Sequence, residues 1–400
     1  MDFHTLQVRI AFLSTLRSLS DKPLLQAYRK VLHAYSENIF TFGEAYGALC
    51  DHIYRTGDPG HEMLQSIQCD CNALTDTLDK PNPAVLDAAT RDLETLRAVL
   101  ALCGHDLIDQ ARQTFPDAGN ALDCLPDFPR GKELPFTSGD QLAEYYRHNG
   151  YGLFAKASFF TAGLSGEFEA VLHPDPIRLA DLKGYVRQKD QVITNTLAFL
   201  ENRLANNILL YGDKGTGKSS TVKAVGNEFA DRGLKIVELA PQQISLFPKL
   251  CAEAARSPYH IIVFMDDLSF DREDNNFATL KAFIEGGLIG KPDNVILYAT
   301  SNRRHLVREN FSDRQGDDIH VRDTLETVTS LSDRFGLEIT FSVPDKDEYL
   351  SIVDQLAEEC GLTLPAQQLH LLAERFALRR NGRSPRTARQ FISYQLTQQL

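Results

Sequence analysis

The first 175 residues of the chain repeat their hydrophobic positions at helical spacing. Ile39, Phe42, Tyr46, Leu49 and Ile53 follow one another at intervals of three and four residues, and a second stripe of this kind begins at residue 93. Such stripes place apolar side chains on one face of a helix, where they most simply form core. Glycines and prolines that end helices occur in GDPG, DKPNP and LPDFPRGKELPF. We therefore predict an all-helical N-terminal domain over residues 1–176, including a linker that begins at HPDPIRL.

After the linker, short apolar strands alternate with helical segments. Five strands are predicted, at NILLYG (207–212), LKIVELA (234–240), IIVFMDD (261–267), NVILYATSN (294–302) and LEITFSV (337–343). Nearly continuous Val, Ile and Leu strands joined by helices are typical of a parallel sheet that is covered on both faces. The pattern predicts an α/β domain with a five-stranded parallel sheet over residues 177–344. From residue 345 to residue 400 the periodicity is helical again, in three segments.

A glycine-rich loop joins the first of these strands to the following helix. Its residues match the pattern G-x-x-x-x-G-K-[ST] and end in a second serine: Gly212, Asp213, Lys214, Gly215, Thr216, Gly217, Lys218, Ser219 and Ser220. In this strand–loop–helix context, successive backbone N–H groups can point at the phosphates of a nucleotide because glycine has no obstructing Cβ. Lys218 can reach the β- and γ-phosphates, and the Ser219 hydroxyl can ligate Mg²⁺. A flexible glycine-rich turn is the simpler alternative, but pattern and context favour nucleotide binding.

Two adjacent carboxylates end a neighbouring strand. A magnesium ion beside the loop needs a carboxylate, and an attacking water needs a base. In IIVFMDDLSF, Asp266 is the candidate on the metal side, acting through water, and Asp267 is the candidate base. The same pair is also compatible with a solvated turn at the end of a strand.

Three further polar side chains are candidates for contact with a γ-phosphate or with the attacking water. Asn302 ends the next strand and could orient the water, or it could cap the following turn. Arg334, in SLSDRFG, could reach the γ-phosphate bound by a neighbouring subunit, or it could form a surface ion pair. Arg386 occupies the first turn of the last helix, where the helix dipole disfavours a cation. That position indicates an external anion such as the nucleotide, with pairing to Asp or Glu as the alternative.

Composition and charge exclude several classes of protein. Of the 400 residues 43% are hydrophobic and 24% are charged, and no apolar run approaches the roughly 18 residues of a transmembrane helix. Seven scattered cysteines form no disulfide pattern, so we expect a reducing, cytoplasmic location and no membrane. The net charge is -12, and residues 1–170 hold 14 Lys+Arg against 23 Asp+Glu, a difference of -9. That part of the chain should repel nucleic acid.

Taken together, these motifs resemble those of the AAA+ ATPases. More narrowly, the chain resembles a bacterial family of AAA+ ATPases that is filed among the domains of unknown function under number eight-fifteen. The resemblance covers about residues 150–400 and is carried by the stretches DLKGYVRQKDQVITNTLAFL, NNILLYGDKGTGKSSTVKA, FMDDLSF, LKAFIEGG, NVILYATSNRRHL, SLSDRFGLEITF and RSPRTARQF.

The resemblance implies a P-loop AAA+ core with the phosphate-loop strand central in its sheet, followed by a C-terminal helical lid over residues 345–400. It also implies ATP with Mg²⁺ at the junction of core and lid, and active sites shared between the subunits of a homo-oligomeric ring or arc. Gly184 and Tyr185 resemble the loop that lies against adenine in such proteins. Asp267 departs from the glutamate common in AAA+ proteins, although paired aspartates are usual in the narrower family, and Pro385 stands where a glycine is expected.

The leading interpretation is an ATPase whose hydrolysis changes the angle between core and lid, and so remodels or switches a protein partner. The acidic N-terminal domain would be the adaptor for that partner. The alternative is a nucleic-acid loader of the replication-initiator type, based on the basic stretches NRRHLVR and LRRNGRSPRTAR, although the overall acidity opposes it. A third class is an ATP-sensing scaffold with little hydrolysis.

Overall fold

A computed structural model describes residues 2–163, 165–268, 280, 284, 292–302, 335–380 and 382–398. Contacts divide the chain into two compact units, Met1–Lys156 and Ala157–Leu400. Each unit has a hydrophobic core of its own. Within the described ranges, no helix combines the length and the apolar character that crossing a membrane requires.

The first unit is built from helices. Its α-helices are α1 (Phe3–Ala11), α2 (Pro23–Ala34), α3 (Ile39–Thr56), α4 (Pro59–Gln68), α5 (Ala73–Asp76), α6 (Pro83–Leu100), α7 (Gly104–Thr114) and α8 (Gly139–Asn149). α3 begins where the Asn38 side chain accepts hydrogen bonds from the N–H groups of Phe40 and Thr41, which a helix N-terminus otherwise leaves unpaired. Phe42 and Tyr46 of the predicted stripe are fully buried. The stripe is therefore core, and the described part of this unit contains no β-strand.

The second unit is organised around a seven-stranded sheet. Its strands are β1 (Phe159–Ala162), β2 (Phe168–Ala170), β3 (Ile208–Gly212), β4 (Leu234–Glu238), β5 (His260–Met265), β6 (Val295–Ser301) and β7 (Leu337–Phe341). The strands lie in the order β2-β1-β4-β5-β6-β3-β7, and each neighbouring pair is parallel except β1 with β2. Every residue of β6 is buried, as expected for a parallel strand covered on both faces. The predicted α/β class is confirmed.

The predicted number of five strands is wrong by two. β1 and β2 form a hairpin within a stretch that the sequence analysis assigns to the helical N-terminal domain and its linker. The two strands have only four and three residues, which is too short for an alternating pattern to stand out. β1 joins the sheet through parallel pairing with β4, with Phe160 opposite Val237. The hairpin therefore belongs to the second unit, which begins at Ala157 rather than after the linker.

The strand before the glycine loop is not central in the sheet. β3 lies between β6 and β7, one strand from the edge, so the expected central position is wrong. β7 pairs with β3 along its whole length, from Ile208 opposite Leu337 to Gly212 opposite Phe341. Because β3, β5, β6 and β7 are parallel, their carboxyl ends share one edge of the sheet. In open α/β sheets, ligands bind outside this edge.

The second unit contains six α-helices whose bounds the structure describes. They are α9 (Val186–Leu200), α10 (Lys218–Glu228), α11 (Phe247–Ala254), α12 (Lys346–Glu359), α13 (Ala366–Leu378) and α14 (Pro385–Thr397). The last three, here called the lid, share a core that includes Tyr349, Val353 and Phe391. α12 begins with a capping box in which Asp345 and Glu348 each accept from the other's backbone N–H. The three predicted C-terminal helical segments are confirmed.

Candidate functional site

The glycine loop, residues 212–219, joins β3 to α10 and contains glycines of two kinds. Gly212 has a φ of 137° and lies against β7, since a Cβ there would stand 2.1 Å from the carbonyl oxygen of Phe341. Gly217 has a φ of 96° and directly precedes α10, but a Cβ there would meet nothing within 4 Å. Gly212 is thus required by a contact inside the protein. Gly217 faces open space at the N-terminus of a helix, where anions bind.

Lys218 turns back into the loop. Its Nζ donates to the carbonyl oxygens of Gly212 and Asp213, both at 2.8 Å, and to Oδ1 of Asn302 at 3.2 Å. Lys218 is only 6% exposed. Burial lowers the pKa of Lys218 because it disfavours the charged form, and nearby carboxylates act in the opposite direction. The loop therefore encloses a cation that links β3 to the end of β6.

The carboxyl ends of β5 and β6 place polar side chains beside the loop. The Ser219 hydroxyl donates to Oδ1 of Asp266 at 2.6 Å, and the Thr300 hydroxyl donates to the same oxygen at 2.5 Å. The Thr300 hydroxyl oxygen also accepts from the N–H of Asp267 at 2.9 Å. The Asn302 amide donates to Oδ1 of Asp267. One continuous set of hydrogen bonds thus joins the loop serine to both aspartates and to Asn302.

The two neighbouring aspartates form hydrogen bonds with different residues. Asp267 has a φ of 52°, a left-handed conformation that Asp tolerates better than most residues because its short side chain can bond locally. Asp266 contacts the loop serine, whereas Asp267 contacts Asn302. The arrangement separates a carboxylate beside the loop from one beside the end of β6.

A cavity of about 790 Å³ opens over the loop. The predicted site residues that line it are Gly184, Tyr185, Lys214, Gly215, Thr216, Gly217, Lys218, Ser219, Ser220, Asp266, Asp267, Asn302 and Arg386. The lid forms part of its wall, and the N–H of Arg386 donates to the carbonyl oxygen of Gly215 at 3.3 Å. Ile352 of the lid also lines the cavity, and a Cβ at Gly184 would stand 2.8 Å from its Cδ1. The cavity therefore has polar walls at the loop and apolar walls beside Gly184.

Two residues of the predicted set are placed differently, and a third is not among the described residues. Gly212 and Asp213 do not line the cavity. The Asp213 carboxylate instead accepts from the N–H of Val343 at 3.1 Å, beyond the end of β7. Arg334 lies outside the described residues. All other residues of the predicted set line the same cavity.

The donor set fits a magnesium-bound nucleoside triphosphate. Mg²⁺ prefers oxygen ligands, and the Ser219 hydroxyl and the Asp266 carboxylate lie within hydrogen-bonding distance of each other. Within the described ranges, no group of three or more His, Cys, Asp or Glu side chains could hold a metal. Mg²⁺ needs only one or two carboxylates because phosphates and waters complete its shell. The cavity volume also lies within the range of about 300–1,000 Å³ that is usual for ligand sites.

Sequence analysis missed several residues that line the cavity, among them Thr300 and Arg389. Thr300 bridges both aspartates, and its signal is its position in β6 two residues before Asn302, which follows the strand end. Arg389 follows Arg386 by three positions and so shares its helix face. Arg389 lines the cavity, and its guanidinium donates to the carbonyl oxygen of Asp181 at 3.0 Å.

The chain is similar to one protein family and to solved structures. The family described as Protein of unknown function (DUF815) matches residues 155–399. No curated protein matches the chain. The RuvB Holliday junction branch migration motor of Thermotoga maritima is similar over 55% of this chain and 63% of its own, with 16% identity and a TM-score of 0.38. A substituted variant of the same RuvB has a TM-score of 0.39 at 16% identity, over the same shares of both chains. The present chain thus spans less than two thirds of these RuvB chains.

Proposed function

The chain belongs to the family described as Protein of unknown function (DUF815), and its second unit is an α/β domain around a seven-stranded, mostly parallel sheet. From that premise we propose that it is a P-loop AAA+ ATPase that binds ATP with Mg²⁺ and hydrolyses it. One observation carries the proposal. The glycine loop, Lys218, Asp266, Asp267 and Asn302 surround a single cavity at the carboxyl edge of the sheet. ATP hydrolysis requires such a set, with a cation and backbone donors for phosphate, oxygen ligands for the metal and a base for water.

The loop residues would hold the phosphates. Lys218 would exchange its two carbonyl partners for oxygens of the β- and γ-phosphates, while the open space at Gly217 lets the backbone N–H groups of α10 approach them. Ser219 and Asp266 would hold Mg²⁺, with Asp266 acting through water. When bound, Mg²⁺ neutralises negative charge on the transferred phosphoryl group.

Asp267 and Asn302 would position the attacking water. The Asn302 amide already donates to the Asp267 carboxylate, which restricts where that carboxylate points. Asp267 would then accept the proton of the water as a general base. Arg386 of the lid would contact the phosphates, and Arg334 would reach the γ-phosphate bound by a neighbouring subunit, an effect of about 10³ to 10⁵ in rate where it operates.

The other end of the cavity would hold the adenine. Gly184 and Tyr185 form one wall, and Ile352 and Leu356 of the lid contribute apolar surface to it. Because lid residues line both the phosphate end and this end, a bound nucleotide would touch core and lid at the same time. Hydrolysis would then alter the angle between them.

We further propose that this motion acts on a protein partner, with the acidic N-terminal unit as adaptor. Residues 1–156 hold 14 Lys+Arg against 21 Asp+Glu, a difference of 14 - 21 = -7, which favours a protein over nucleic acid as the partner. The active form would be a homo-oligomeric ring or arc because Arg334 is assigned to a neighbouring site. An increase in mass on adding ATP, measured by light scattering, would support this assembly.

A second candidate is an ATP sensor with slow turnover. The observation that favours it is the Asp267 side chain, which is one methylene shorter than glutamate and is engaged by the Asn302 amide. A base held in this way could be too far from the water for rapid hydrolysis. Tight ATP binding without phosphate release by the unaltered protein would select this candidate.

The test measures ATP binding and phosphate release with Mg²⁺ for the unaltered chain and three variants. Lys218→Ala should weaken ATP binding at least about a hundredfold, because it removes charged hydrogen bonds of about 1.5–3 kcal/mol each. Asp267→Asn should bind ATP normally but hydrolyse it about 10²-fold more slowly or worse. Lys223→Ala is the matched control, since Lys223 lies on α10 outside the cavity wall. Equal binding and turnover in Lys218→Ala and the control would refute the proposal.

A further inference from the structure

The peptide unit that joins Ser342 to Val343, here called the hinge peptide, connects β7 to the lid. Its carbonyl oxygen accepts from the Tyr185 hydroxyl at 2.6 Å. Its N–H donates to Oδ2 of Asp213 at 3.1 Å. The described chain has no cis peptide bond, so the C=O and N–H of this unit point in opposite directions. Two side chains therefore hold the same peptide unit from its two sides.

The hinge peptide is tightly linked to the first lid helix. Only Pro344 separates Val343 from Asp345, the N-cap residue of α12. A residue before proline is restricted to extended conformations, and the capping box fixes Asp345 to the helix. Val343 is itself 51% exposed, so its side-chain packing contributes little to holding this segment. A rotation of the hinge peptide would consequently change the orientation of α12, because the short segment between them has little conformational freedom.

The Tyr185 side chain belongs to the cavity wall, and the Asp213 side chain belongs to the glycine loop. Tyr185 lines the cavity beside Gly184, and its ring lies 5.1 Å from the ring of Phe341. Burial raises the pKa of Tyr185, which keeps its hydroxyl protonated and able to donate. Asp213 belongs to the glycine loop although it does not line the cavity.

Asp213 is tied to the phosphate end of the site through its backbone. Its N–H donates to the carbonyl oxygen of Phe341 at 3.1 Å. Its carbonyl oxygen accepts from Lys218 Nζ and from the Thr216 hydroxyl, both at 2.8 Å. If Lys218 moves to bind phosphate, Asp213 therefore loses one of these bonds while its carboxylate still holds Val343.

We propose that Asp213 and Tyr185 are positioning residues that jointly clamp the hinge peptide and so couple occupation of the nucleotide site to the orientation of the lid. The inference rests on the proposed binding of ATP. It assigns Asp213 to the lid rather than to the phosphates. Tyr185 lies at the Gly184 end of the proposed nucleotide site, and Asp213 belongs to the glycine loop at its phosphate end. The hinge peptide is therefore bonded to residues from both ends of the site.

The experiment uses the full-length chain and four variants: Asp213→Ala, Asp213→Asn, Tyr185→Phe, and the double variant of Asp213→Ala with Tyr185→Phe. Asp231→Ala, at an exposed aspartate between α10 and β4, is the matched control. Each protein is assayed for ATP affinity, for kcat and KM, and for the ATP-induced change in amide hydrogen exchange over residues 343–359.

Asp213→Ala should bind ATP within about threefold of the unaltered chain because Asp213 does not line the cavity. Tyr185→Phe removes only the hydroxyl that donates to the hinge peptide. Both single variants should lose most of the ATP-induced change in exchange, and kcat should fall about threefold to tenfold, as expected for the loss of one hydrogen bond. The double variant should be little worse than either single one because both act on one peptide unit. Asp213→Asn, which keeps an acceptor oxygen, should stay within about twofold of the unaltered chain in both measurements.

Two results would overturn the clamp. One is an unchanged ATP-induced exchange pattern in both single variants. The other is a double variant whose loss in kcat equals the product of the single losses, which indicates independent action. Failure of the unaltered chain to bind ATP is a separate result, and it would overturn the proposed function on which the clamp rests.

Discussion

Replacing each of two loop glycines by alanine should show that one glycine is needed mainly for folding stability and the other mainly for phosphate binding. Gly212 and Gly217 both have positive φ, and they lie five residues apart in one loop. Their surroundings differ, because a Cβ at Gly212 would meet backbone and a Cβ at Gly217 would meet open space. Gly212→Ala and Gly217→Ala therefore form a matched pair in which the added atom is the same.

The expected cost of Gly212→Ala follows from its contact with β7. The new Cβ would stand 2.1 Å from the carbonyl oxygen of Phe341, so β3 and β7 must separate by at least about 1.3 Å to reach the 3.4 Å of ordinary contact. That movement would strain or break the 3.1 Å bond from Asp213 N–H to the same oxygen. Positive-φ strain of about 1–3 kcal/mol and a buried acceptor left unsatisfied at about 1–3 kcal/mol give a total of about 2–6 kcal/mol.

The cost of Gly217→Ala should be smaller because only backbone strain applies, at about 1–2 kcal/mol. For ATP binding the order should be reversed, so that Gly217→Ala has a larger effect than Gly212→Ala. The Cβ at position 217 would project from the backbone at the N-terminus of α10, where the proposed phosphates must approach closely. We expect Gly217→Ala to weaken ATP binding about a hundredfold, the size that the loss of several charged hydrogen bonds to the backbone would produce.

Local stability is best measured by native-state hydrogen exchange of β3 and β7, because a chain with two compact units need not unfold in one step. ATP affinity is measured by equilibrium binding on the same preparations. The reasoning would be refuted if Gly212→Ala left the opening free energy of β3 unchanged. It would also be refuted if Gly217→Ala bound ATP as tightly as the unaltered chain.

Two further predictions concern a buried tyrosine and the lid. Burial raises the pKa of Tyr298 to about 12 from 10.0, so its contribution to stability is complete below pH 10 and is lost as the pH rises towards 12. Tyr298→Phe should cost about 1–2 kcal/mol at neutral pH, since Asn195 and Thr196 lose a partner. The difference between the two proteins in urea denaturation should shrink above pH 10, and a constant difference would contradict the assignment. Arg386→Ala should weaken ATP binding about tenfold or more. Arg375→Ala, at an exposed lid arginine, is the control and should leave ATP affinity unchanged. Equal affinities of the two variants would contradict the assignment of Arg386 to the nucleotide site.

Local patterns explain why the fold class and most of the cavity wall could be predicted. The glycine loop is contiguous in sequence, so its position between a strand and a helix follows from pattern alone. Asp266, Asp267 and Asn302 come from two strands, but parallel strands bring their carboxyl ends to one edge whatever their order. For this reason, Asp266, Asp267 and Asn302 line one cavity with the loop although the predicted central position of β3 is wrong.

Features that depend on long-range register could not be predicted. Asp213 and Val343 are 130 residues apart, and they meet only because Gly212 pairs with Phe341 at the ends of β3 and β7. The β1–β2 hairpin was missed for a related reason. β1 is stabilised by pairing with β4, whose paired residues lie 77 positions later in the chain, so the pairing leaves no local signal.

The position of the hairpin determines the residue at which a stable fragment of the second unit must begin. A fragment that starts at the predicted linker would lack β1, the parallel neighbour of β4. The unpaired edge of β4 would then present free backbone groups beside the apolar side chains of Ile236 and Val237, which is the type of surface on which strands of other molecules assemble. A fragment that starts at Ala157 keeps this edge covered, so the sheet itself sets the minimal length of a non-aggregating second unit.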